Sequence, residues 1–90
     1  MSGVVDNTDA QRFELTEDGE TAVAEYIREG DTVTFTHTIV PPALEGRGIG
    51  SRLVKTALDD ARAKGMRVVP QCSFVAAYID RHPEYRDIVA

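Results

Sequence analysis

The stretch Val40-Pro-Pro-Ala-Leu-Glu-Gly-Arg-Gly-Ile-Gly-Ser-Arg-Leu-Val54 decides how this chain is read, because it runs from two prolines through three alternate glycines into an apolar periodic segment. Pro41 and Pro42 end any preceding strand ladder, since proline has no amide hydrogen to donate. Gly46, Gly48 and Gly50 let the backbone come close to a ligand and turn its amides in one direction. A helix N-terminus directly after them adds unpaired N–H groups and a partial positive charge. Arg47 and Arg52 bring two cations to the same place, with Lys55 near them, and the whole reads as a phosphate cradle. A plain glycine-rich turn is the competing reading of the spacing. There is no Gly-Lys-Ser/Thr for a P-loop and no Gly-x-Gly-x-x-Gly spacing, so the cradle suits a pyrophosphate that is held and not hydrolysed.

Downstream, residues 49–64 show helical spacing, with Ile49, Leu53, Ala57 and Ala61 on one line and Val54 and Leu58 beside it. Gly65 ends this helix as a C-cap. Residues 66–71 form a short apolar run that suits a buried strand, parallel to the strand before the helix in a βαβ crossover. Ser73 is a good N-cap for a second helix over 74–81, closed by His82-Pro83. Tyr85, Ile88 and Val89 give the tail apolar positions for docking back.

Upstream, strands are expected over 11–16, 20–28 and 32–40, joined by turns at Glu17-Asp18-Gly19 and Glu29-Gly30-Asp31. Alternation is clearest in the third, where Val33, Phe35, His37 and Ile39 point one way and four threonines the other. The order is βββαβα: an α/β fold with an antiparallel meander followed by a βαβ crossover and a C-terminal helix. Residues 1–9 are polar and expected to fray, leaving one domain over 10–90.

Ninety residues, 42% of them hydrophobic, fit one small globular domain. At this size only somewhat more than about 60% of the unfolded surface is buried, so a homodimer would support the thin core. The net charge of −5 gives no reason to expect nucleic acid or an anionic membrane as partner. That charge is uneven: residues 1–44 carry −7 and residues 45–90 carry +2, which favours the second half for an anionic ligand. The single Cys72 excludes an internal disulfide, and the first residues lack the basic and apolar regions of a signal peptide, so a reducing, cytoplasmic location is expected.

The 40–54 segment resembles the acetyl-CoA-binding signature of GNAT-type N-acetyltransferases, usually Gln/Arg-x-x-Gly-x-Gly/Ala at a strand-to-helix junction. Gly48 and Gly50 match its glycines, while Glu45 stands where the family has Gln or Arg. With His37-Thr38 before it, and the 69–78 segment and Arg81-His-Pro-Glu-Tyr85 after it, the chain resembles the small GNAT-like subfamily with a reactive cysteine. The resemblance implies acetyl-CoA or CoA as cofactor, its pyrophosphate on the backbone of Arg47, Gly48, Ile49, Gly50 and Ser51. Gly46 and Arg52 flank that loop, and pantetheine pairs with the backbone of Ile39 and Val40. It implies an amine acceptor, small molecule or protein, for which a core this short supplies little pocket.

Acetyl transfer needs a nucleophile, a group to remove its proton and donors for the developing oxyanion. Cys72 stands just before a helix start, where amides and the dipole favour a thiolate. The resemblance implies a transiently acetylated cysteine there; a small buried hydrophobe is the plainer reading. Tyr78 is a candidate to protonate departing CoA, against a packing role. His37 is a candidate base near the cofactor mouth, against a packed role on an apolar face. Two histidines and one cysteine give no metal-ligand spacing. An acetyl-CoA-dependent N-acetyltransferase leads, the alternatives being an acyl-CoA-binding module with little catalysis, favoured by Glu45 and Ile39, and a non-enzymatic interaction domain.

Overall fold

A computed structural model describes residues 3–90. Five strands, β1 (Val4–Asn7), β2 (Arg12–Glu17), β3 (Glu20–Glu29), β4 (Thr32–Ile39) and β5 (Arg67–Pro70), lie in the order β1-β2-β3-β4-β5. The first four form an antiparallel meander, and β5 joins β4 in parallel through helix α1 (Ile49–Ala63). A second helix, α2 (Ser73–Arg81), and a 3-10 segment over Pro83–Ile88 complete the chain.

Alternation along the strands makes one sheet face apolar. Phe13, Leu15, Ala22, Ala24, Tyr26, Val33 and Phe35 are buried there, and the Leu53, Val54, Ala57, Leu58 and Ala61 side of α1 joins them in one core. The other face is largely exposed, although Val23, between Glu14 and Ile39, is buried on it. Val5, Ile27 and Ile39 on it are 62%, 48% and 52% exposed, and no described residue forms a second layer over them.

Two departures from the sequence expectation matter. The first is β1: Val4–Asn7 pairs with Leu15–Arg12 where a frayed end is expected. What holds it is tertiary, since Tyr26 donates its hydroxyl proton to Asp6 and Arg28 and Lys64 approach the same carboxylate within 3.6 and 4.0 Å. Met1 and Ser2, part of the same expectation, lie outside the described residues. The second is a bulge in β4. Tyr26 pairs with Phe35 but Glu25 pairs with His37, so Thr36 is the extra residue, its hydroxyl donating to the Glu25 carbonyl at 3.3 Å. The bulge reverses the faces beyond it: Thr38 turns toward the helices, while His37 and Ile39 turn to the open side.

The tail docks. Tyr85 and Ile88 are buried, the Ala90 amide donates to the Val68 carbonyl at 2.8 Å, and Arg62 grips Asp87 at 2.8 and 2.9 Å.

Burial and a hydrogen bond to Asp6 push the Tyr26 hydroxyl up to about 12, and burial with a bond to Asp59 does the same for Tyr85. In the unfolded chain a tyrosine ionises near pH ~10. Below that both states are neutral and the contribution is complete; between about pH 10 and 12 only the unfolded chain loses its proton, so stability falls. Urea midpoints should therefore decline across that window, and a flat profile would contradict the buried, bonded hydroxyls.

Candidate active site

The cradle region begins where the 3-10 turn Pro42–Leu44 buries Leu44 and releases the chain into the glycine loop. Gly46 and Gly48 have φ of +81° and +71°, the left-handed region that side chains disfavour. Gly48 is the N-cap of α1, and the first helical bond runs from the Arg52 amide to its carbonyl at 3.1 Å. The amides of Ile49, Gly50 and Ser51 come before that bond and have no helical carbonyl to meet. Those three residues border a hollow of about 270 Å³, walled also by Val40, Leu44, Glu45, Gly46, Gly48 and Phe74.

Gly50 is required for a different reason. Its φ is ordinary, but a Cβ there would sit 2.7 Å from Cζ of Phe74, so the third glycine makes room for a ring on α2. Phe74, 36% exposed, is a wall the sequence does not announce, since its position emerges only when the two helices meet.

Of the cofactor residues expected from sequence, Val40, Gly46, Gly48, Ile49, Gly50 and Ser51 line this hollow. The side chains of Arg47 and Arg52 instead reach the β2–β3 hairpin, Arg47 bonding Asp18 at 2.6 Å and Arg52 lying 3.8 Å from Glu17. Ile39 is on the open face, with its backbone on β4 past the last residue that β5 pairs. The ladder to β5 stops at Phe35–Pro70, where proline donates nothing, and the Cys72 amide then donates to the Phe35 carbonyl at 2.8 Å. Beyond it β4 runs on to Ile39, and the segment after β5 leaves the sheet for α2.

Cys72 lies where that segment leaves the sheet. It, and not Ser73, is the N-cap of α2, and Ser73 is the first helical residue. Its sulfur is 3.4 Å from the Thr38 hydroxyl. Burial pushes the thiol up, but Thr38 and the amides of Val75 and Phe74 outweigh it, so the net shift is downward, toward thiolate. Neither amide completes a capping hydrogen bond; both favour negative charge at the sulfur. Thr38 is hidden in the sequence because simple alternation sends it to the threonine face, and the bulge sends it back.

His37, expected on the apolar face with Val33 and Phe35, is on the opposite one, with its side chain 69% exposed and Nδ1 3.5 Å from Glu25. It does not face Cys72. Tyr78 is 4% exposed, stacked on His82 at 3.9 Å between centroids, with Tyr85 beyond at 6.1 Å. Burial pushes its hydroxyl up, and nearby Lys55 partly opposes this. His82 Nδ1 lies 2.8 Å from the Tyr78 carbonyl and finishes α2. Among the described residues no group of three or more His, Cys, Asp or Glu is placed to hold a metal ion, and no helix is long and apolar enough to cross a membrane.

An antiparallel meander, a parallel last strand reached through a helix that opens on a glycine loop, and a first parallel strand that outruns the second define an acetyltransferase-type α/β core. Residues 12–88 match the family described as GCN5-related N-acetyl-transferase. The chain belongs to that family. It is 35% identical over 52 residues to Protein NATD1 of Xenopus tropicalis; the aligned stretch covers 58% of this chain and 48% of that protein, so the chain spans about half that relative's length. The solution NMR structure of a GCN5-like protein from Staphylococcus aureus, described as a candidate N-acetyltransferase, superposes with a TM-score of 0.75. That superposition covers all of this chain and 91% of the other at 23% identity, a likeness of fold.

Proposed function

We propose that this chain transfers an acetyl group from acetyl-CoA to an amine, giving an acetamide and free CoA. The observation that carries the reading is the meeting of two helix starts: Phe74 of α2 packs over Gly50 of α1 and walls the glycine hollow, and Cys72 caps α2 two residues before it. What supports a pyrophosphate here is that Gly46 and Gly48 take the left-handed backbone of a tight loop and that Ile49, Gly50 and Ser51, the first turn of α1, line the hollow. When bound, acetyl-CoA supplies an acetyl group already activated as a thioester.

The chain's own residues do the rest. The amides of Ile49, Gly50 and Ser51 hold the pyrophosphate, with Arg47 and Arg52 at the rim. The backbone of Ile39 and Val40 offers pairing groups to the pantetheine. In the covalent route the Cys72 thiolate forms a bond to the acetyl carbon, the bond to the CoA sulfur breaks, and Tyr78 is the candidate donor of a proton to that sulfur. An amine then attacks the acetyl-cysteine and its excess proton leaves to solvent, His37 being on the opposite sheet face. In the direct route the amine attacks the thioester itself and Cys72 takes no acetyl group. A reducing compartment such as the cytoplasm would keep the thiol free. Glu45, an acid on the hollow's wall, supports the second reading, an acyl-CoA-binding module with little turnover.

Titration of CoA into the purified protein by calorimetry tests the cofactor assignment. Saturable 1:1 binding is expected; no heat at millimolar CoA would reject both the enzyme and the binding-module readings.

A further inference from the structure

The two arginines at the glycine loop and the first turn of α1 each have an acidic partner on one hairpin. Asp18 Oδ2 accepts from Arg47 Nη1 at 2.6 Å, and Glu17 Oε2 lies 3.8 Å from Arg52 Nη1. The two acids are adjacent at the β2–β3 turn, 29 residues from Arg47 in one pair and remote in sequence in the other. Asp18 sits at φ +52°, so the turn itself fixes where its carboxylate projects. Glu17 Oε2 is buried and accepts no hydrogen bond, a carboxylate oxygen short of a donor. Arg47 and Asp18 are 45% and 68% exposed in their side chains, so neither is locked by packing and the pair can separate at low cost.

An anion at the glycine loop finds two neighbouring arginines, outside the hollow's lining, whose charge is already answered. We propose that Asp18 and Glu17 are resident counter-ions of the phosphate site: they occupy Arg47 and Arg52 in the free protein and yield them to the phosphates of a CoA-type ligand. The β2–β3 turn thus becomes a determinant of cofactor affinity and release. This inference rests on the cofactor reading above.

Asp18→Asn tests it, because asparagine tolerates the left-handed turn and keeps a polar side chain. At about 0.01 M salt Asp18→Asn should bind CoA roughly 2- to 5-fold tighter than wild type, the size of an exposed ion pair. The gain should vanish near 1 M salt, where the screening length falls from about 30 to about 3 Å. Glu17→Gln should shift affinity in the same direction. Unchanged or weaker binding in both variants, with wild type still binding, would overturn the exchange and leave Asp18 as an orienting contact or a bystander. Absence of CoA binding in wild type would instead remove the cofactor reading on which the exchange depends.

Discussion

Cys72→Ala should lose the acetyl-enzyme adduct and slow amine acetylation by about 100-fold or more, roughly 2.7 kcal/mol of barrier, while CoA binds as before. The expectation follows from the environment of the sulfur. Burial alone would make this thiol a poor nucleophile, yet Thr38 and the Phe74 and Val75 amides lower its pKa overall, and only the thiolate attacks a thioester. Intact mass after incubation with acetyl-CoA reads the adduct directly. Thr38→Val supplies the graded counterpart: without the hydroxyl at 3.4 Å the thiol pKa rises, so alkylation by iodoacetamide slows near neutral pH and recovers in alkali, where both proteins are ionised. Equal transfer rates in Cys72→Ala and wild type would dismiss the covalent route and leave attack by the amine on the bound thioester.

Leu53→Ala should cost about 3 to 5 kcal/mol of folding stability, from lost burial plus the cavity left behind. Leu53 is fully buried on α1, between Ile49 one turn earlier and Ala57 one turn later, against the apolar sheet face. A domain of this length has roughly 5 to 13 kcal/mol in all, so the variant should be near its unfolding threshold at room temperature. Urea denaturation gives the number. The site should suffer as well, because Leu53 anchors the helix start that carries Ile49, Gly50 and Ser51. A loss under about 1 kcal/mol would mean that α1 does not hold the sheet as described.

Much of this was legible in one dimension. Apolar spacing over 49–64, the stop at Gly65 and the apolar run after it specify α1 and β5 through local rules of period and capping. The glycine loop is legible for the same reason: its chemistry is written in adjacent residues. What stayed hidden depends on partners far along the chain. Val4–Asn7 has no periodic signature, and its strand exists because Tyr26, Arg28 and Lys64 gather around Asp6. The alternation of Thr32–Ile39 is unbroken as text, so nothing within it marks Thr36 as surplus; only the pairing with β3 does. Phe74, Thr38 and the acids of the β2–β3 turn belong to the site through contacts over 24, 34 and 29 residues, the last being Asp18 with Arg47.

The surplus residue also has a metric consequence. Leave Thr36 out and β4 alternates without fault, Phe35 inward, His37 outward, Thr38 inward. Its presence reverses the facing of His37, Thr38 and Ile39 relative to plain alternation, and it adds about 3.3 Å of contour to β4 and none to β3. That slack falls one residue after Phe35, level with Pro70, where β5 ends. β4, one residue longer than the stretch of β3 it pairs with, takes up that surplus level with the point where β5 stops.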